Sequence, residues 1–436
     1  MSAATTQTTA VGRFKGHGKT WLWVGLVVVA LALPWVFFNY QTGRHSGFVL
    51  TMLSQAGMMI LFALSYNMLM GQAGLLSFGH AVFFGLGGFS TIHFLRAAGN
   101  GTLPVPMELM PLLGGLSSLG FGMVFGAMVS KQRATAFAMI TMGIGELVGA
   151  SAIMFHSFFG GEGGVNADRM IERSLFGVNY ASPVQVYYLI VAWTVIGVVG
   201  MLFLTRTPLG AMANACRDNF ERAQFMGYDP RRVRFFQFAL AGGFAGIGGA
   251  LHAITYEIVT FDAVGAGLSA NAVLMAYIGG SGTFYGPILG AVLITLMQSG
   301  VSLMSNSWLI YVGVMFIGIV AFAPGGLAGM IEIHGPIARA GRLTRLIVPY
   351  IRLFFPAFAV LIGFIGLVEL MSFLTIGAAQ GKTLELFGNK IDVKAALPWL
   401  VSLGCLVPGG LWLWFESRAF GRVWDRLTED LKERDR

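Results

Sequence analysis

The chain has 436 residues, of which 56% are hydrophobic and only 11% charged, with 36 Phe and 61 Gly. No soluble domain needs that much apolar surface, and a backbone in lipid must pair its polar groups internally, so the expected class is an all-α polytopic membrane protein rather than a soluble module. The net charge of +8 does not point to nucleic acid, because the basic residues lie in short loops between apolar runs, where the positive-inside rule places them.

The N-terminal tail carries Arg13, Lys15 and Lys19 ahead of an apolar run from Trp21 to Phe38. The run lacks a small-residue cleavage site and leads into further spans, so it reads as a retained first helix rather than a signal peptide. Gly47 to Met70 is the next span. It is followed by Gly71 to Leu95, apolar but broken by small and polar residues, which suits a span, a broken helix or a re-entrant piece. Apolar runs at Met107 to Val129 and Ala134 to Phe159 come next, then a mixed-charge loop from Gly160 to Pro183 and a span from Val184 to Leu204. Beyond a polar interruption lie Phe235 to Tyr256, Leu268 to Ile278, a glycine loop at Gly279 to Gly286, Pro287 to Met304 and Trp308 to Phe322.

A composition shift at Ala323-Pro324-Gly325-Gly326 closes the main body. A basic amphipathic connector, Gly335 to Arg352, leads to spans at Leu353 to Ile376 and Ala395 to Phe415. The tail from Glu416 has six basic and six acidic residues, with Phe420, Trp424, Leu427 and Leu431 on one helical face, as in an interfacial helix lying on the membrane or a partner site.

The polar interruption, Thr205 to Arg234, carries Arg206, Arg217, Arg222, Arg231, Arg232 and Arg234 against three acids, whereas the Gly160 to Pro183 loop balances Arg169 and Arg173 with Glu162, Asp168 and Glu172. The first is therefore expected on the cytoplasmic side and the second outside. The N-terminus, Lys131/Arg133 and the Arg339/Arg342/Arg345/Arg352 cluster then fall inside, with both termini cytoplasmic, provided Leu268 to Phe322 crosses three times.

Within the interruption the spacing predicts one helix over 208–227. Thr207 suits the N-cap, Pro208 the first helical position and Gly227 the left-handed stop, and Asp229-Pro230 starts the next helix. Leu209, Met212, Cys216, Phe220 and Ala223 recur on one face. Such a helix is either an ordered, solvated loop or a docking helix whose apolar stripe fills a groove on a cytoplasmic partner, with Arg217 and Asp218 fixing its orientation.

Some motifs are decoys. Gly18-Lys19-Thr20 and Gly381-Lys382-Thr383 invite a phosphate-loop reading, but the position that needs the first glycine holds Arg13 and Ile376 respectively, and neither run sits between strand and helix. Two cysteines, Cys216 and Cys405, give no disulfide framework and too few ligands for a metal site. No paired acids or nucleophile elbow point to an enzyme.

Leu209-Gly210, Arg217-Asp218-Asn219, Ala223 and Gly227 resemble the coupling-helix motif of LivM-type permeases of branched-chain amino acid ABC importers. Asn67-Met68-Leu69 with Gly71-Gln72-Ala73-Gly74-Leu75-Leu76-Ser77-Phe78-Gly79-His80-Ala81 resembles that family's early glycine-rich segment. Gly160 to Gly164, Ala245 to Leu251 and Gly279 to Ala291 resemble later ones in order, so the likeness covers about Gln55 to Gly329. Asn214 and Phe220 depart from the family's charged pattern.

The resemblance implies an ABC importer permease fold of about 10–12 transmembrane or re-entrant helices, in the bacterial inner (plasma) membrane. Residues 1–45 would be a cytoplasmic tail and first span, 46–334 the permease core with a coupling helix at 208–227, and 335–436 a C-terminal extension with two spans and an amphipathic tail. It implies a second, LivH-like permease, two ATPase subunits that use ATP and Mg, and a periplasmic or extracellular substrate-binding protein; this chain itself binds no cofactor. The expected solute is a branched-chain or other aliphatic amino acid, with urea or a short amide as the alternative.

Polar residues inside spans are costly in lipid and either bond between helices or line a pathway. Asn67, Gln72, His80, Glu146, Asn271 and Tyr277 are the candidates, with Glu146 foremost as an acid in the middle of an apolar run. A reading from another class is a stand-alone ion-coupled carrier or channel in which Glu146 and His80 titrate.

Overall fold

Hydrocarbon offers the backbone no hydrogen-bond partner, and the long apolar runs are accordingly helical in the computed structural model. It describes residues 17–39, 44–132, 134–170, 173–377, 384–386, 389–391, 393 and 395–434. Arg13, Lys15, Arg133, Glu172 and Gly381-Lys382-Thr383 lie outside the described residues. In chain order the helices are α1 (His17–Val36), α2 (Gly47–Asn67), α3 (Ala81–Gly99), α4 (Met110–Val129), α5 (Ala134–Met154), α6 (His156–Phe159), α7 (Pro183–Arg206), α8 (Pro208–Asp218), α9 (Phe220–Phe225), α10 (Pro230–Tyr256), α11 (Ala266–Gly279), α12 (Gly286–Ser299), α13 (Trp308–Phe322), α14 (Gly326–Arg339), α15 (Thr344–Ser372) and α16 (Ala396–Arg434). Three antiparallel two-stranded pairs join them: β1 (Phe38–Asn39) with β2 (Arg44–His45), β3 (Val165–Asn166) with β4 (Ile258–Val259), and β5 (Leu384–Leu386) with β6 (Asn389–Ile391). Among the described residues, nine helices are long and apolar enough to cross a bilayer, or ten if α13 and α14, bent by 41°, count as one span. The protein is thus an all-α, multi-pass membrane protein.

The chain divides into two compact units, up to Ser269 and from Ala270. In the first, α3 and α10 form the centre, each with 78% of its apolar window buried inside the protein. Between apolar helices in apolar solvent, close packing and hydrogen bonds replace the hydrophobic force, and small residues permit it. A Cβ on Gly87 would lie 2.5 Å from the Cα of Gly246, and one on Gly249 would lie 1.8 Å from the carbonyl oxygen of Phe84. On the other side Ser118 of α4 donates its shared hydroxyl to the carbonyls of Phe83 (2.8 Å) and Gly242 (2.9 Å), stapling α4 to both central helices. α2 lies against α7, where Thr194 donates to the carbonyl of Gly57 at 3.3 Å, and α1 is tied to α7 by the Tyr187 hydroxyl donating to the carbonyl of Ala30 at 2.6 Å.

The Gly160 to Gly164 motif and the loop after it are folded over the ends of these helices. Val165 pairs with Val259, and Arg169 donates its backbone N–H to Glu257 at 3.0 Å and its guanidinium to the carbonyls of Thr255 and Ala181. Tyr180 donates to Glu108 at 3.1 Å, and burial, followed by the neighbouring carboxylate, pushes its hydroxyl up to about 12. Of the charges that mark this loop in the sequence, Arg169 is thus engaged in holding its own fold.

In the second unit α11 and α12 cross backbone to backbone, a Cβ on Gly290 meeting the carbonyl oxygen of Met275 at 1.8 Å. The tail continues the last span as one helix. α16 runs unbroken for 39 residues, about 58 Å at 1.5 Å per residue against a hydrocarbon core of about 30 Å. Its Leu427, with Phe420, Val423 and Trp424 beside it, packs on Ile337 of α14 and Leu346 of α15, so its apolar face is covered by this chain. Arg342 and Asp430 close the cluster at 3.0 Å. Deeper in α15, Glu369 accepts from Ser305 and, at 2.6 Å, from the Tyr311 hydroxyl, which satisfies an acid inside an apolar helix.

Because the α3–α10 contact leaves no room for a methyl group, Gly249→Ala is expected to cost about 1–3 kcal/mol by overpacking, whereas Gly120→Ala, which meets nothing within 4 Å, should be neutral. Thermal unfolding in detergent measures the contrast.

Candidate functional site

The polar interruption between α7 and α10 is an elbow built from local capping chemistry. Thr207 is extended (φ −78°, ψ 164°) and Pro208 opens α8 as expected, but the Thr207 hydroxyl donates back to the carbonyl of Leu204 at 2.6 Å instead of capping. The expected single helix over 208–227 is two. Asn219 is extended (φ −155°, ψ 105°), and its side-chain oxygen accepts from the backbone N–H of Arg222 at 2.9 Å, capping α9. A short amide side chain that caps so well competes with a continuous helix, and here it wins. Gly227 ends α9 at φ +86°, and Asp229 caps α10 by accepting from the N–H of Arg231 at 3.0 Å. Two caps within eleven positions leave the elbow few ways to bend.

Its inner face is made of Gly210, Ala213, Cys216 and Ala223, all buried, with Leu209, Met212 and Phe220 half-buried. A Cβ on Gly210 would lie 2.6 Å from the carbonyl oxygen of Thr205, so α8 folds directly back on the end of α7. Burial pushes the Cys216 thiol up, partly offset by Arg234. Arg234 was not singled out by the sequence. It donates to the carbonyl of Gln132 at 2.8 Å and lies 4.8 Å over the Phe220 ring, holding that departure from the family pattern in place. The apolar stripe expected to fill a groove on a partner is therefore turned largely onto this chain. The outward apolar surface is instead Phe225, Met226 and Tyr228, which are 90%, 63% and 42% exposed. They interrupt no periodic pattern, which is why spacing did not reveal them.

Arg217 also faces inward in part. It pairs with Asp218 at 3.0 Å, a contact between exposed groups that contributes little by itself. Its Nη1 donates to the carbonyl of Gly71, and its methylenes cover Gly74, where a Cβ would meet Cγ of Arg217 at 2.7 Å. Gly71 lies in the π-helical turn Met68–Gln72 that continues α2, and Gly74 (φ +66°) ends it; the chain then runs non-helically to α3. The glycine-rich segment thus holds a non-helical break followed by a span of its own, α3, and the elbow motif grips that break between the two candidate spans.

The far end of the break grips α5. The backbone N–H of Phe78 donates to the Thr141 hydroxyl at 3.3 Å, and a Cβ on Gly79 would lie 2.0 Å from the carbonyl oxygen of Thr141. The hydroxyl of Ser269 accepts from the N–H of Ala81 at 3.0 Å. His80 is fully buried, bonded to Ser65 at 2.9 Å and stacked on Phe62. Asn67 is buried at the end of α2, and the side-chain oxygen of Gln72 is buried without a hydrogen bond.

These three candidates share the break. Glu146 does not: it points outward from α5 and makes no ion pair or hydrogen bond among the described residues. Asn271 (half-buried) and Tyr277 (41% exposed, its ring 6.3 Å from Phe316) belong to the second unit. No group of His, Cys, Asp or Glu among the described residues is arranged to hold a metal ion. The arrangement is an elbow tied by one guanidinium to the break between α2 and α3.

A family model described as the permease component of branched-chain amino acid transport systems matches residues 48–323. The chain is similar to the high-affinity branched-chain amino acid permease protein LivM of Escherichia coli (24% identical over 70% of this chain and 74% of the relative) and to BraD of Pseudomonas aeruginosa (22%, over 63% and 92%). It is also similar to the fructose import permease protein FruF of Bifidobacterium longum (25%, over 62% and 73%). No solved structure matches. The family match stops before α14, so the extension lies beyond it.

Asn219→Ala removes one cap and is expected to cost about 1 kcal/mol, loosening α9, while Asn219→Ser keeps the cap. Limited proteolysis between 219 and 229 of the purified protein should be faster in the first variant and unchanged in the second.

Proposed function

The chain belongs to the family of permease components of branched-chain amino acid transport systems, and from that premise we propose that it carries aliphatic amino acids inward as one of two permeases in an ATP-driven importer. The relatives named for branched-chain amino acids support the solute class, alongside the ordered motifs. A LivH-like permease completes the membrane part, two ATPase subunits bind the elbow from the cytoplasm and supply ATP and Mg chemistry, and an external binding protein delivers the solute.

The observation that carries the reading is the bond from Arg217 to the carbonyl of Gly71. Exposed Phe225, Met226 and Tyr228 offer an apolar contact for an ATPase surface. A push there moves α8 and α9 together, since α8 is packed on α7 and α10 and α9, capped by Asn219, is packed on α8 and α10. Arg217 passes the displacement to the break at Gly71–Gly74, and the break, fixed at its other end to Thr141, passes it to α5. Helix shifts of about 1–2 Å at such interfaces are enough to switch packed elements between two arrangements.

Docking and transmission are thereby assigned to different residues. In proteoliposomes holding the assembled importer, Phe225→Ala with Met226→Ala is expected to lose co-purifying ATPase. Arg217→Ala should retain the ATPase and its hydrolysis but lower leucine uptake about tenfold, as for loss of a charge-assisted hydrogen bond. Undiminished leucine uptake by the Arg217 variant, or uptake that an ion gradient drives without ATP, contradicts the reading.

A further inference from the structure

Glu146 stands out because nothing in its own chain explains it. It is the twelfth of the 20 residues in the span Thr135–Met154, about 2 Å from the middle of that helix. The inner face of α5, with Phe137, Thr141, Val148 and Ala152, is buried, and Thr141 holds the break. Glu146 lies on the opposite face with Met139, Met142 and Leu147, all exposed. Glu369, an acid inside another apolar helix, is bonded by Ser305 and Tyr311; Glu146 has no such partner among the described residues. A carboxylate cannot be left in hydrocarbon without cost, so this face meets water or a polar partner.

What surrounds Glu146 narrows that partner. Gly143, one turn earlier, and Gly149, three positions later, carry no side chain and meet no atom of this chain within 4 Å of where a Cβ would sit, so this chain does not cover the helix surface beside the carboxylate. The flanking Met139 and Met142 are flexible and polarizable, and such side chains adapt to apolar groups of varied shape. One carboxylate flanked by glycines and by adaptable apolar side chains is complementary to a small solute with one cationic head and an aliphatic body. A sugar or urea has no cation to match it. The position is also mechanically connected: Gly145, the preceding residue, abuts Gly79, a Cβ there meeting the Cα of Gly79 at 3.3 Å, and Gly79 lies five residues beyond the Gly74 that Arg217 covers.

The geometry points to Glu146 as the residue of the passage that receives the ammonium group of the amino acid, on an α5 face lining an aqueous route. This rests on the function proposed above and adds the recognising group. A displacement of the break would turn the same face that holds the solute, so binding and coupling meet on one helix.

The test uses the assembled importer in proteoliposomes, with leucine, fructose and urea as probes. Glu146→Gln is expected to lower leucine uptake about tenfold or more, the weight of a lost charge-assisted hydrogen bond, and Glu146→Asp to recover part of it. In parallel, Glu146→Cys with Cys216→Ala and Cys405→Ala is treated with trimethylammonium-ethyl methanethiosulfonate. Labelling of the new thiol, slowed by excess leucine with its binding protein, is the expected result. If the wild-type importer takes up leucine but Glu146→Gln is undiminished, or the thiol is never labelled because lipid or the second permease covers it, this inference alone is overturned. A wild type that takes up fructose or urea and no leucine overturns the proposed solute and the ammonium assignment together.

Discussion

The fold hangs on how the end of α2 is held. A helix end leaves its last carbonyls without intrahelical donors, and each such group needs a partner. α2 and its π-helical continuation end at Gln72, and Gly71 is among those last residues. Arg217 supplies a donor, and a cation at a helix C-terminus also complements the helix dipole. The break is tolerable because the elbow is there, and the elbow is oriented because the break needs it. Two stretches 146 positions apart are thereby made into one device.

Around that device the packing is tight where it must not give and open where it must. α3, α4 and α10 meet through Gly87, Gly246, Gly249 and the Ser118 staple, with backbones in contact. A close-packed interior moves as a body rather than deforming continuously. The glycine motifs at Ala245 to Leu251 and Gly160 to Gly164 belong to this rigid part, as turns and contacts rather than as solute sites. By contrast α5 is packed on one face only, against the break through Thr141 and Gly145 and against α10 through Phe137 and Phe238. Its other face is not covered by this chain.

Much of this was legible in the sequence because it follows from composition and punctuation. Apolar runs of about 20 residues dictate spans, and Pro208, Gly227 and Asp229-Pro230 mark the elbow's ends where the structure has them. Asn219 was read as a motif residue, and its capping role, which splits the helix, was hidden because a polar residue on an outward face fits a continuous helix equally well. The inward turn of Leu209, Met212 and Phe220 was illegible because periodicity shows that a face is apolar, not what covers it. Arg234 and Gly74 act across distant stretches of chain, and no local pattern records that. Glu146 was marked by its cost in lipid, yet only the structure separates it from Asn67, Gln72 and His80 and places it on the outside of α5.

The central claim is that the Arg217–Gly71 bond carries motion from the elbow to α5. It is tested most directly by the distance between spin labels at positions 139 and 123, on the exposed faces of α5 and α4, in the assembled importer without nucleotide and with ATP trapped. The account predicts that ATP changes this distance in the protein with Arg217 and leaves it unchanged with Arg217→Ala. An equal change in both, or none in either, would contradict it.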